Sequence, residues 1–112
     1  MVISKENSTH YVWGNQCDGW ILVSTQDLTV IQERMPPGTA EKAHYHQYAQ
    51  QFFYILEGQA TFDVGEDSFV VQAKEGIYIV PQTVHRIYNN TDTDLVFVVT
   101  SQPTTKNDRY ES

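Results

Sequence analysis

Two histidines one residue apart open the stretch of this sequence that is best suited to chemistry. In the segment HYHQYAQQFFYILEG, His44 and His46 precede an apolar run that ends at Gly58. Residues i and i+2 of a strand point to the same face, so both imidazoles would enter one space. Imidazole is the commonest protein ligand for transition metals. The pair therefore predicts a metal site whose remaining ligands come from elsewhere in the chain.

A third histidine lies far along the chain, in the segment VPQTVHRIYN. His85 follows a proline turn, and Ile87 and Asn89 share its face of the predicted strand. A single histidine, or a His-x-His pair alone, is weak evidence for a metal. The combination of the pair with a distant third histidine is stronger.

Short β-type segments must position these side chains. The sequence has no long apolar pattern with the helical period of about 3.6 residues, and it has no internal repeat. Many short strands at even spacing, with Gly, Pro, Asn and Asp between them, predict a sandwich or barrel. The predicted strands cover residues 20–24, 28–35, 43–46, 51–57, 59–64, 68–73, 77–80, 85–89 and 94–100.

The spacing around the histidine pair resembles the first signature motif of the cupin superfamily. Gly38 is followed by five residues, His44-x-His46, four residues, Gln51, six residues and Gly58. Counting back from Gly58 favours Gln51 over the neighbouring Gln50 as the motif position.

The second cupin motif is matched only in part. His85 and Asn89 have the expected spacing, but the positions of two glycines and a proline hold other residues. The substituted positions are Lys74, Val80 and Gln82. We expect the nearby Gly76 and Pro81 to serve the same turns.

The resemblance implies an all-β fold, a double-stranded β-helix that forms a small single-domain, jelly-roll-like cupin barrel. It implies one divalent transition metal ion in the barrel mouth, held by His44, His46 and His85. The fourth ligand position falls at Gln51, where the family usually has glutamate. The spacing does not choose among Fe, Mn, Zn, Ni and Cu.

Gln51 is the most important departure from the family pattern. Three neutral imidazoles and a neutral amide leave the ion with its full formal charge, which a carboxylate would partly neutralise. We expect weaker metal binding and stronger Lewis acidity, which favours an anionic substrate. Gln51 as a ligand, and Gln51 as a hydrogen-bonded amide beside the ligands, stay open as equal alternatives.

The predicted substrate pocket is largely apolar. Gln32 and Arg34 share one face of their strand, which changes from apolar to polar along its length. Arg34 would there receive a substrate carboxylate, or it would form an ion pair at the rim. The predicted pocket residues are Gln32, Arg34, Phe53, Ile55, Ile87 and Asn89.

Length and resemblance together predict one domain with short additions at both ends. We expect residues 1–27 to form an N-terminal strand or dimer arm, 28–101 the barrel, and 102–112 a polar, partly mobile tail. Several predicted strands are apolar on both faces, which favours a homodimer.

Composition narrows the classes of partner. The 112 residues carry a net charge of -7 without a Lys/Arg cluster, so we expect no nucleic-acid binding. No apolar run has the length of a membrane span, and the start does not resemble a signal peptide. With a single cysteine, Cys17, no intramolecular disulfide can form. We therefore expect a cytoplasmic protein that contacts no membrane.

These features predict a metal-dependent enzyme that acts on a small oxygenated organic molecule, of dioxygenase, lyase or isomerase type. A non-catalytic module that binds or senses a small molecule is the alternative, because a fold alone does not determine a function. A barrel whose histidines hold no metal is the third alternative.

Overall fold

The computed structural model describes residues 1–112 as two antiparallel β-sheets packed over one core. The six-stranded sheet has the order β1-β2-β3-β10-β5-β8, and the five-stranded sheet has the order β11-β4-β9-β6-β7. A single turn of 3-10 helix, Lys5–Asn7, precedes them. The strands are β1 Thr9–Trp13, β2 Cys17–Ser24, β3 Thr29–Met35, β4 His44–Tyr45, β5 Gln50–Glu57, β6 Gln59–Val64, β7 Asp67–Gln72, β8 Gly76–Ile79, β9 His85–Tyr88, β10 Leu95–Gln102 and β11 Tyr110–Glu111. The prediction of an all-β fold is confirmed.

Strand β5 shows how the period of two builds the core. Alternate residues from Gln51 onward are buried, while Phe52 and Leu56 on the other face are 45% and 40% exposed. The core lies between the two sheets, and both contribute to it. Its largest members are Phe62, Phe97, Met35, Ile55, Ile87 and Leu95.

Gly58 makes the turn that follows β5. Its φ of +82° lies in the left-handed region, and a Cβ atom there would lie 2.4 Å from the backbone oxygen of Asp94. Only glycine fits such a position without a shift of the backbone. The glycine at the end of the first motif is thus required by close packing.

The turns of the second motif keep the left-handed conformation although glycine is missing. Lys74 and Gln82, which replace the two glycines, have φ values of +69° and +66°. Pro81 lies in the same turn as Gln82, as expected, but the expectation that Gly76 would serve the turn at Lys74 is wrong. Gly76 instead lies at the start of β8, where a Cβ would come within 2.4 Å of the Phe52 ring.

Both ends of the chain join the sheets. Strands β1 and β2 lie within residues 1–27 and extend the six-stranded sheet through β3. Strand β11, in the segment expected to be a mobile tail, pairs with β4. No helix of the chain is long and apolar enough to cross a membrane. Through β1 and β11, the two ends of the chain help to form the walls around His44 and His46.

Candidate metal centre

The two sheets bring the three histidines together. His44 on β4 lies directly opposite His85 on β9, and His46 follows β4 by one residue. One ring nitrogen from each histidine lies within 4.8 Å of the other two, and the three residues are at most 4% exposed. A single ion can therefore be reached by all three side chains.

Backbone carbonyl groups hold all three rings in the same tautomer. A carbonyl oxygen can only accept, so each Nδ1 must carry the proton and each Nε2 keeps its lone pair. The acceptors are the carbonyl oxygens of Lys42, Asp108 and Thr83, at 2.7, 2.6 and 2.8 Å from Nδ1 of His44, His46 and His85. Histidine ligands of metals are commonly oriented in this way.

Burial keeps these imidazoles neutral. It lowers the pKa of His44 to about 3, against a smaller opposing effect from the Lys42 carbonyl. Burial also lowers the pKa of His46 and of His85. A neutral imidazole is the form that binds a metal ion.

Gln51 approaches the same point from the other sheet. Its Nε2 donates to Oγ of Ser101 at 3.0 Å, and its Oε1 lies 3.1 Å from Nε2 of His85. Because Nδ1–H of His85 is donated to the Thr83 carbonyl, two lone pairs face each other across that 3.1 Å. A shared cation would stabilise this arrangement. Gln50 points away from the histidines, and its Nε2 donates a hydrogen bond to Oε1 of Gln102.

His46 supplies a further sign that a cation fits. Its Nε2 is buried and has no hydrogen-bond partner. An unpaired buried polar atom is costly, and nearly all such atoms have a partner. Together with the donor set of three imidazoles and one amide oxygen, this atom fits a divalent transition metal ion.

The C-terminal segment holds the loop that follows His46. The Asp108 carboxylate accepts hydrogen bonds from the backbone N–H groups of Gln47, Tyr48 and Ala49, at 2.7, 3.0 and 3.1 Å. Burial acts to raise the pKa of Asp108, but these three donors outweigh it and hold the pKa below its ordinary range. Sequence reasoning missed Asp108, because it lies outside both motifs in an unremarkable polar stretch.

A cavity of about 170 Å³ opens beside the histidines. This is well below the roughly 300–1,000 Å³ of pockets for drug-sized ligands, so it suits a small molecule. His44, His46, Gln51 and Phe53 are among the residues that line it, and the cavity is more polar than expected. The polar lining residues that sequence reasoning missed are Tyr11, Glu33, Glu41, Ser101, Thr105 and Arg109.

Three neighbouring strands build one wall of this cavity. Tyr11 on β1 lies opposite Gly19 on β2, and Gly19 lies opposite Glu33 on β3. A Cβ atom on Gly19 would lie 2.1 Å from the Tyr11 ring. The ring therefore lies across β2 at the position where Gly19 has no side chain. The Tyr11 hydroxyl then donates to the Glu33 carboxylate at 2.7 Å.

The second carboxyl of the cavity, Glu41, is held by the five-stranded sheet. Its Oε1 accepts from the backbone N–H of Ile87 at 3.1 Å. Burial raises the pKa of Glu41 to about 8, with repulsion from Glu33 adding to the effect. Burial also raises the pKa of Glu33 to about 7, while the Tyr11 hydroxyl and Arg109 act in the opposite direction.

The predicted pocket positions of Gln32 and Arg34 are corrected by the structure. Both side chains lie on the outer face of β3, where Arg34 pairs with Asp18 at 2.8 Å and Asp94 at 3.1 Å. The inner face carries Ile31 and Glu33. Both faces of this strand carry apolar and polar residues, so alternation alone did not identify the inner one.

Three other predicted pocket residues also lie outside the cavity lining. Ile55 and Ile87 are fully buried in the core. Asn89 is 1% exposed, and its amide donates to the backbone oxygens of Met35 and Thr93 at 2.9 and 2.8 Å. Asn89 thus fastens the turn before β10.

Comparison with known proteins shows the family. The Cupin domain family model matches residues 31–101, well over half of the chain. The polyketide synthase protein CurC of Streptomyces cyaneus is 32% identical over 69 residues, which cover 62% of this chain and 45% of that protein. The chain spans about half the length of the curated relatives it matches.

Solved structures show the same architecture. A predicted oxalate decarboxylase of Thermotoga maritima superimposes with a TM-score of 0.85 at 21% identity, covering 93% of this chain and 100% of that chain. KdgF of Halomonas sp. gives a TM-score of 0.86 at 13% identity, covering 96% of each chain. At these identities the likeness shows the fold, the double-stranded β-helix that the resemblance to the cupin superfamily implied. This chain belongs to the cupin family.

Proposed function

We propose that this chain is a metal-dependent enzyme that acts on a small oxygenated organic molecule. His44, His46 and His85 hold one divalent transition metal ion, and Gln51 completes the set through Oε1. The observation that carries this proposal is the buried group of three neutral imidazoles, each with Nδ1–H donated to a backbone carbonyl and with the lone pair kept on Nε2. The unpaired Nε2 of His46 and the inward Gln51 oxygen support it.

The bound ion would act as a Lewis acid that polarises an oxygen of the substrate, or as a site for dioxygen. The residues around it select the substrate. The cavity of about 170 Å³ admits only a small molecule. Phe53 forms an apolar part of its wall, while Arg109 offers a positive charge to an anionic group. The neutral ligands would leave the ion its full positive charge, which also favours an anionic substrate.

The metal content of purified protein tests the site. We expect about one ion per chain in the wild type and a nearly complete loss in His44→Ala. His10→Ala is the matched control, because His10 is exposed and pairs with Asp18 outside the cavity. Unchanged metal content in His44→Ala would contradict the ligand set.

Turnover separates an enzyme from a binding module. Dioxygen consumption with a panel of β-diketones and hydroxy-enones tests the dioxygenase type, and product analysis by NMR tests the lyase and isomerase types. Metal-loaded protein that binds such compounds but converts none of them, with any of Fe, Mn, Zn, Ni or Cu, would favour the non-catalytic alternative.

We also propose a homodimer, formed through the outer face of the six-stranded sheet. Phe52, Tyr54 and Leu56 are 39–45% exposed there and form a continuous apolar row along β5. Sedimentation equilibrium should give twice the chain mass, and Leu56→Lys should shift the protein towards the monomer. A wild-type monomer at high concentration would contradict this proposal.

A cytoplasmic location is proposed as well, to be tested by cell fractionation.

A further inference from the structure

Two carboxyl groups lie in the histidine cavity with no role as ligands in the proposed site. Glu33 comes from the six-stranded sheet, and Glu41 comes from the segment before β4 in the other sheet. Both line the cavity together with His44 and His46. His46, whose Nε2 is unpaired, is one of the lining residues, so a ligand in this cavity would meet both carboxyls and the histidine pair.

Each carboxyl is anchored through one oxygen. Oε2 of Glu33 accepts from the Tyr11 hydroxyl at 2.7 Å, and Oε1 of Glu41 accepts from the Ile87 N–H at 3.1 Å. The other oxygen of each group makes no hydrogen bond to the protein. One fixed and one free oxygen is the arrangement that a positioned acid or base requires, since the free atom can meet a substrate proton.

We propose that Glu33 and Glu41 are the acid–base pair of this site and transfer protons on a small α-hydroxy carbonyl compound. This inference rests on the proposed metal-dependent function and selects its isomerase and lyase types over the dioxygenase type. Burial raises the pKa of Glu33 to about 7 and, with repulsion from Glu33 added, the pKa of Glu41 to about 8. Near neutral pH Glu41 is therefore mostly protonated and Glu33 is partly ionised, so the cavity offers both an acid and a base.

The chemical step balances without an external oxidant. The ionised carboxylate takes a proton from the carbon beside the carbonyl, and that C–H electron pair becomes the second bond of a C=C unit. The electron pair of the C=O double bond moves onto oxygen, which takes the proton of the other carboxyl. The product is an enediol. The first carboxyl then returns its proton to the former carbonyl carbon, while the second, now ionised, takes the hydroxyl proton from the carbon that lost its hydrogen. That oxygen becomes the new carbonyl, and both carboxyls regain their starting states. No electron enters or leaves the substrate.

Hydrogen exchange in D₂O tests the pair directly. Protein loaded in turn with Fe, Mn, Zn, Ni or Cu is incubated with glycolaldehyde, hydroxyacetone, dihydroxyacetone and the anionic hydroxypyruvate, and deuterium at the hydroxyl-bearing α-carbon is followed by NMR. We expect exchange with the wild type, and a decrease of about 100-fold or more in Glu33→Gln and Glu41→Gln. Glu66→Gln, at an exposed hairpin turn, removes the same charge elsewhere and should leave exchange unchanged.

A second measurement does not depend on turnover or on the folding of variants. In Zn²⁺-loaded wild type with ¹³C-labelled glutamate carboxyls, hydroxyacetone should move the Glu33 and Glu41 signals and leave that of Glu66 in place. Signals that stay unmoved at saturating ligand would overturn the inference.

The outcomes separate this inference from the proposed function. Metal-loaded wild type without exchange on any probe, or Gln variants that exchange as fast as wild type, would overturn the acid–base pair and leave the metal site intact. A protein that takes up none of these metals would overturn the proposed metal site. Exchange measured on that metal-free protein would then decide whether Glu33 and Glu41 transfer protons.

Discussion

Replacing Asp108 by alanine should weaken both the fold and the metal site. The side chain is 5% exposed and accepts three backbone N–H bonds from the loop after His46. Hydrogen bonds to a charged group contribute about 1.5–3 kcal/mol each and are not additive, so we expect a loss of about 3 kcal/mol in unfolding free energy. With an unfolding entropy of about 2.1 cal/mol/K per residue, this corresponds to a melting temperature lower by about 13 °C.

Calorimetry of the metal-free wild type and Asp108→Ala measures this loss. The pKa of Asp108 is lower in the folded state than in the unfolded state. Its carboxylate therefore stabilises the fold at pH values above the ordinary aspartate pKa near 3.9, and this stabilisation is lost as the pH falls through the pKa of the folded state. The difference between the two proteins should therefore be largest near neutral pH and shrink below about pH 4. Asp92→Ala, at an exposed site, is the control.

The same variant should bind metal more weakly, by about 10- to 100-fold. The released loop no longer fixes His46, although the Asp108 carbonyl that accepts from its Nδ1 is still present. Equal melting temperatures for wild type and Asp108→Ala, or a difference that does not change with pH, would refute the account of this loop.

Three other changes test the cavity. Gln51→Glu should raise metal affinity about tenfold or more, which is about 1.4 kcal/mol, as titration calorimetry would measure. The same change should destabilise the metal-free protein, because it buries a carboxylate, and melting curves would show this. Gly19→Ala should displace the Tyr11 ring, which a Cβ would approach to 2.1 Å, and free Glu33 from its hydrogen bond; tyrosine ring signals in NMR would report it. The Glu41→Gln variant should be more stable than wild type at high pH, by roughly 3–5 kcal/mol. Folding raises the pKa of Glu41 to about 8, so the wild type loses stability as pH rises through that value and the carboxyl ionises, whereas glutamine stays neutral. Melting curves of the metal-free proteins that stay parallel from pH 5 to pH 9 would contradict this last expectation.

The strands and the histidine group could be predicted because local pattern decides them. The alternation along β5 fixed which residues face inward, and the structure places Gln51 and Phe53 there. The spacing of the first motif brought His44 and His46 together, and the register of β4 against β9 then brings His85 opposite His44.

The rest of the cavity depends on pairing between distant segments, which local pattern does not contain. Tyr11 reaches Glu33 only because β1, β2 and β3 are neighbours in one sheet and Gly19 leaves room. Arg109 and Asp108 reach the site because the C-terminal segment returns to pair with β4. Nothing in the local sequence distinguishes Glu33 and Glu41 from the other carboxylates of a chain with 14 acidic residues.

X-ray absorption spectroscopy of the metal-loaded protein tests the central claim most directly, because it reports the ligands of the ion. With Zn²⁺ we expect the scattering pattern of three imidazoles at about 2.0–2.1 Å, together with oxygen. His85→Ala should lose one imidazole from that pattern. A site with fewer than three imidazoles in the wild type, or with a sulfur ligand from Cys17, would contradict the assignment of His44, His46 and His85 as the metal centre.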